Sequence, residues 1–344
     1  MAVITFKPKQ ITKRLVSVLG DRPRFVVEHR FGLSPAAERR TLEAIGGEYG
    51  ITRERVRQIE NFALSSIRRS EVMSKDKAAF DELRQVLESL GGVVAERELL
   101  EHVSKDPVTQ NHVHLLLVIG DEFFKQKENK EFVHRWTTNE AISSVVEESL
   151  KNLHKDLSRH DIVPESEIIS NFLRHLSGLP DNYKQEEVLR RWLNLSRKIG
   201  RNPLGDWGLA SSSNINARGI RDFAFLVIRR HGSPMHFTEV SNAIEEVFGR
   251  KAHVATCHNE LIKDNRFVLV GRGLYALKEW GYESGVVKDV IRNILKLEGP
   301  MTRDEIINRV LKERYVKENT IAVNLQDQSE FMKGPDGRYR AARA

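Results

Sequence analysis

The stretch from Thr41 to Arg69 limits this chain more than any other. It reads as a helix, a tight turn and a second helix. Leu42, Ile45 and Tyr49 recur at helical spacing and are expected to face a core. Gly50 follows, and glycine ends helices because it enters the left-handed region without a Cβ clash. Thr52 suits the N-cap of the next helix, where a hydroxyl takes a backbone N–H that has no helical partner. On that helix Val56, Ile59 and Ala63 fall together, whereas Arg53, Glu54, Arg57, Gln58 and Asn61 fall on the other side. The second set has the chemistry of base readout. Arginine bonds guanine bidentately, a carboxylate accepts from the cytosine amino group, and glutamine or asparagine pairs with adenine. In a helix-turn-helix the early residues of the second helix reach base edges in the major groove. A plain solvated charged face is the competing explanation. The turn glycine, the cap and the clean separation of faces together favour readout.

Charge placement points the same way. The chain of 344 residues carries +7, and residues 1–70 hold 14 Lys/Arg against 7 Asp/Glu. The other residues hold 41 of each, so the whole excess sits beside the helix pair. That asymmetry implies nucleic-acid contact by the N-terminal segment and argues against a chain that coats DNA along its length. The length alone implies two or more domains. Apolar runs such as Val113–Ile119 are too short to span a bilayer, and residues 1–10 hold no apolar leader. A soluble protein of the cytoplasm is therefore expected, with no membrane partner. Cys257 is the single cysteine, which leaves no internal disulfide and no cysteine-rich metal site. His112 and His114 lack a partner pair at zinc spacing and read as surface or satisfied histidines, so no metal is expected. The sequence has no P-loop, dinucleotide fingerprint, Gly-x-Ser-x-Gly elbow or His-Glu-x-x-His. Asp121, Glu122 and Lys125 do not make a convincing nuclease cluster. No catalytic residue, no cofactor and no enzyme activity are expected.

Several N-terminal motifs carry a family resemblance. Arg22-Pro-Arg-Phe-Val-Val-Glu-His-Arg-Phe-Gly-Leu33, Arg40-Thr-Leu-Glu-Ala-Ile-Gly46 and Gly50-Ile-Thr-Arg-Glu-Arg-Val-Arg-Gln-Ile-Glu60 together resemble region 4 of the sigma-70 family of transcription factors. The likeness covers about residues 10–69. It implies a domain that reads the upstream promoter element in double-stranded DNA and docks on the flap of the RNA polymerase β subunit. Carried over by position, Arg53, Glu54, Arg57 and Gln58 would touch bases. Arg22 and Arg30 would lie on phosphates, and Thr41 and Leu42 would offer a helix N-terminus to the backbone. Two departures stand out. Asn61, Phe62, Ser65 and Ser66 occupy positions where the family usually carries lysines. The aromatic-rich, promoter-melting regions of a full sigma factor have no counterpart in these residues.

From about residue 78 a repeat begins. Four units of ~60–75 residues each open on an apolar-periodic helix: Phe80 to Leu90, Ile142 to Leu157, Phe223 to Arg230 and Val287 to Leu297. A second helix, a third helical stretch and a strand-like pair follow. Gly271-Arg-Gly273 and Gly334-Pro-Asp-Gly337 are hairpin-turn signals. Three helices plus a hairpin make a winged helix. The third unit, with Met235-His-Phe-Thr-Glu-Val240, His258 and Phe267 to Leu277, resembles the HARE-type winged helix of the polymerase delta subunit.

The expected fold is therefore mainly α, a helix-turn-helix bundle over 1–70 followed by about four winged-helix units at 78–139, 141–213, 220–282 and 284–344. Lys251, His253, His258 and Arg272 in the third unit could touch DNA, as could Arg190, Arg191, Arg197, Lys198 and Arg201 in the second; a solvated face balanced by acids is favoured for both sets. Trp136, Trp207 and Trp280 are expected as core or hairpin anchors. The expected function is sequence-specific DNA binding in transcription initiation or its regulation with bacterial RNA polymerase. The alternatives are a polymerase-docking adaptor without its own DNA specificity and, further off, the specificity component of a restriction system.

Overall fold

The computed structural model describes residues 4–158, 162–282 and 285–342. It is mainly helical with small antiparallel sheets, and it divides into two compact units, Met1–Gly200 with Trp207–Ser211 and Arg201–Asp206 with Ser212–Ala344. Among the described residues no helix is long and apolar enough to cross a membrane.

The first unit begins with four helices, α1 (Pro8–Val16), α2 (Asp21–Phe31), α3 (Leu42–Tyr49) and α4 (Arg53–Arg68). Gly32 ends α2 in the left-handed region at φ 62°, and a Cβ there would press on Asn111 and the Ala37 carbonyl. A short α5 (Glu71–Lys75) leads to α6 (Lys77–Ser89), β1 (Val93–Ala95), α7 (Glu96–Val103), α8 (Pro107–Ile119), β2 (Phe124–Gln126) and β3 (Arg135–Thr137). β3 pairs antiparallel with both β1 and β2, so the sheet order is β1-β3-β2. The same order of elements recurs as α9 (Glu140–Asp156), an extended contact at Val163, α10 (Glu165–His175), α11 (Glu186–Leu193), β4 (Ile199–Arg201) and β5 (Trp207–Leu209). The two copies share a buried detail. The Trp136 indole donates to Glu96 at the start of α7, and the Trp207 indole donates to Glu165 at the start of α10. Both rings are buried, as anchors of their hairpins.

No break in packing marks residues 70–78. One apolar core takes Leu15, Leu19, Val27, Phe31, Leu64 and Ile67 from the opening helices together with Phe80, Leu83, Leu87, Val113, Leu116 and Trp136 from the elements that follow. The expected border between 70 and 78 therefore does not separate two cores. Helix α8 is the reason. Its residues Asn111 to Leu117 are all buried, because it lies against α1, α2 and α4. Polar groups fix the seam. Asn111 Nδ2 donates to the Gly32 and Ala37 carbonyls, and its Oδ1 accepts from Arg39 Nε at 2.7 Å. Arg68 donates to the Val118 and Ile119 carbonyls at the end of α8. His112 meets Thr12 Oγ1 at 2.6 Å, and His114 lies 3.4 Å from Glu96. The two histidines are thus core residues and not surface ones. Each keeps one ring nitrogen with no hydrogen-bond partner among the described residues.

The second unit repeats the pattern twice. Helix α12 (Ile220–His231), β6 (Met235–His236), α13 (Phe237–Phe248), α14 (Val254–Lys263), β7 (Phe267–Leu269) and β8 (Leu274–Leu277) give a sheet ordered β6-β8-β7. Then come α15 (Val287–Glu298), an extended contact at Met301, α16 (Arg303–Glu313), α17 (Glu318–Leu325), β9 (Phe331–Lys333) and β10 (Tyr339–Ala341). The turn after α16 is tied to the β7–β8 hairpin through Tyr315 N to the Val270 carbonyl.

Candidate nucleic-acid interface

The α3–α4 turn is built as its sequence requires. The Gly50 backbone is left-handed at φ 62°, and its N–H closes on the Gly46 carbonyl. Thr52 Oγ1 accepts from Arg55 N at 3.2 Å, and Thr41 Oγ1 caps α3 by accepting from Ala44 N at 3.1 Å. A second glycine, whose role the sequence did not reveal, matters as much. A Cβ on Gly46 would stand 2.5 Å from the Ile51 carbonyl oxygen, so only glycine lets the turn fold back on α3. Val26, Ile45 and Val56 form a small core beneath the turn, with Phe25, Leu42, Ile51 and Ile59 packed around it. Tyr49, expected inside, is 38% exposed. It meets Phe25 edge-on and lies under the Arg22 guanidinium at 5.4 Å, because the turn carries it past the core.

Arg53, Glu54, Arg57, Gln58 and Asn61 all face solvent on α4. Three of them are held by neighbours on the helix. Arg57 donates to Glu54 through Nε at 2.9 Å and Nη2 at 2.6 Å, and Arg55 Nη1 donates to Gln58 Oε1 at 3.0 Å. The hydrogen bonds from Arg57 hold the Glu54 carboxyl below the usual carboxylate range, so it stays ionised at neutral pH. A planar guanidinium locked beside a carboxylate presents donors and acceptors in fixed register, as bidentate contact with base edges requires. The expected backbone-contact residues are placed less uniformly. Arg22 is exposed, Thr41 is occupied as a cap, and Leu42 starts α3 with its side chain half-buried in the turn core. Arg30 is drawn inward: it donates to the Arg40 carbonyl at 2.7 Å and lies 3.4 Å from Glu60.

Charge along the chain alternates in a way the overall balance hides. Residues 71–200 hold 18 Lys/Arg and 23 Asp/Glu, whereas residues 201–344 hold 23 and 18. The arginines of the basic stretch in the second repeat unit are taken up by ion pairs. Arg190 binds Glu165, Arg191 binds Glu98 and Glu187, and Arg197 binds Glu128. Arg201 donates to the Gly205 carbonyl within its own hairpin, and Lys198 lies at its base. In the second unit His258 is half-buried and stacks on Phe237 at 4.2 Å. Lys251, His253 and Arg272 are exposed. Trp280 is half-buried at the foot of the hairpin. Lys125 pairs with Glu96 at 2.7 Å and Asp121 faces Arg68, which separates the one carboxylate–lysine grouping weighed for nuclease chemistry. Sequence reading missed Asn111, Arg39 and Glu60 as well. Each acts through a partner some 30 or more residues away, which no local spacing reports.

Comparison with known proteins places this geometry. Residues 15–69 match the family model of sigma-70, region 4. Over 68 residues the chain is 37% identical to the RNA polymerase principal sigma factor HrdD of Streptomyces griseus, a stretch that is 20% of each protein. Over 50 residues it is 50% identical to the RNA polymerase sigma factor RpoD of Helicobacter pylori, covering 14% of this chain and 8% of that protein. The chain thus spans a fifth or less of the length of these relatives. No solved structure matches it. Residues 15–69 form a sigma-70 region 4 domain.

Proposed function

We propose that this protein is a sequence-specific, double-stranded DNA-binding transcription factor of the sigma region 4 type, acting with bacterial RNA polymerase in initiation or its regulation. One observation carries the reading. Helix α4 stands on a glycine turn with Arg53, Glu54, Arg57 and Gln58 exposed, the last three held by neighbours on the helix, in the segment that holds an excess of positive charge. In this reading those four residues touch bases. Arg22, the capped N-terminus of α3 at Thr41 and Leu42, and Arg30 once released from Glu60 touch the backbone. The elements from about residue 78 on are read as four winged-helix modules, the third of HARE type. The third helices of the first two modules are engaged within the first unit: α8 is buried, and α11 pairs its arginines with Glu165 and Glu98. Neither is then free to enter a groove.

The second unit favours a protein partner. Eight large apolar side chains are half or more exposed among the described residues, and seven of them lie there, Val286 and Leu297 the most open. Docking of these modules on polymerase or another regulator would bury such groups, with the β flap left as the partner of the region 4 domain. The adaptor reading survives only if the same protein has no DNA preference of its own. Selection of bound duplexes from a random pool, with and without core RNA polymerase, separates the two. A consensus recovered by the protein alone supports direct reading. Recovery only with polymerase, and with the same yield from Arg57→Ala, supports the adaptor.

A further inference from the structure

Phe62 is out of place for its residue type. The chain has fifteen phenylalanines, and only Phe62 and Phe124 are exposed. Phe62 is 65% open, and among the described residues it is the one half-exposed large apolar side chain of the first unit. On α4 it is flanked at helical spacing by Gln58, Ser65 and Ser66 on its open side and by the half-buried Ile59 on the other, and among the described residues no aromatic ring or cation stacks on it. Its place on the helix is specific. Four residues after Gln58, it stands about 40° around the axis and about 6 Å further along it. It therefore continues the edge of the surface marked by Gln58 by one turn, about 100° around the axis from Asn61.

A groove-lining surface that ends on a bare aromatic ring needs an apolar feature opposite it. The major groove offers one, the C5-methyl group of thymine, for which phenylalanine is an established type of contact. We propose that Phe62 is a specificity-determining residue that packs on a thymine methyl about two base pairs beyond the base met by Gln58. The spacing follows from about 6 Å of helix against about 3.4 Å between successive bases. This inference rests on α4 being the DNA-reading helix.

Replacing thymine by uracil removes the methyl group and nothing else. In the full chain's selected duplex, each thymine is exchanged for uracil in turn, and affinities are measured for wild type, Phe62→Ala and Phe62→Leu. At one position the wild type should lose about three- to fivefold, the worth of one buried methyl. There Phe62→Ala should bind thymine and uracil alike, and Phe62→Leu should keep part of the difference. A wild type that binds selectively while no uracil effect vanishes in Phe62→Ala overturns the assignment and leaves the helix reading intact. So does an unchanged uracil profile combined with weaker assembly on RNA polymerase, which would make Phe62 a protein contact. A wild type with no preferred duplex overturns both.

Discussion

Arg57 and Glu54 meet solvent as a closed pair, and this sets what each contributes. Removing the carboxylate would leave Arg57 without its guide and remove a negative charge that faces the phosphates. Glu54→Ala should therefore lower discrimination among sequences by about 1–3 kcal/mol while non-specific affinity holds or rises. Competition titrations with specific and scrambled duplexes measure both. Below the surface, Glu96 is the most perturbed carboxyl. Burial opposes its charge, but hydrogen bonds from His114 and Lys125, together with the Lys125 ammonium, hold it well below the usual carboxylate range. Burial also lowers His114 and His112 from the ordinary histidine value, keeping them neutral. The signs agree. A neutral buried histidine binds fewer protons than its unfolded form, so stability starts to fall as pH drops through about 6.5. Glu96 stabilises fully above the unfolded carboxylate value of about 4.3 and loses its contribution as pH falls further. Melting temperature against pH should thus decline in two stages, and Glu96→Gln should shrink the lower stage, to which other lowered carboxyls such as Asp264 also contribute.

At the scale of elements, the helix-turn-helix was legible because its determinants are local. Gly50, Thr52 and the two faces of α4 act within a few residues of one another, and the structure places each as the pattern implied. Gly46 was not legible, since its constraint is a carbonyl five residues on, across the turn. Gly46→Ala should displace that turn and weaken both stability and duplex binding, read by urea titration and gel shift together. The first strand of the hairpin that ends at Trp136, Phe124–Gln126, carries no turn signal to mark it, and Phe132 leaves that hairpin to pair with Ser196. Helix α8 hid its role for a further reason: its run Leu115–Ile119 signals burial without naming what buries it, and Asn111, His112 and His114 on it read as polar surface residues until their partners are seen. Asn111→Leu would leave the Gly32 and Ala37 carbonyls without their partner in the seam. It should cost the first unit about 2–4 kcal/mol, measured by denaturant midpoint at constant slope.

For the whole molecule, the sequence's domain borders and the packing differ most at residue 70. Periodicity ends one pattern there and starts another, but periodicity carries no information on which faces meet across a linker. The opening bundle lends Leu15, Val27, Phe31 and Ile67 to a core completed by α6 and α8. Residues 1–75 alone should accordingly fail to unfold cooperatively, whereas residues 1–211 should give a single sharp transition by circular dichroism. The central claim remains that α4 reads duplex DNA, and one comparison tests it most directly. Affinities of wild type, Arg57→Ala and Arg22→Ala are measured on the selected duplex and a scrambled one over a salt series. Arg57→Ala should lose about 1–3 kcal/mol on the selected duplex alone, and Arg22→Ala should weaken both duplexes alike and flatten the salt slope by about one. Equal loss on both duplexes for Arg57→Ala, or no loss on either, would contradict it.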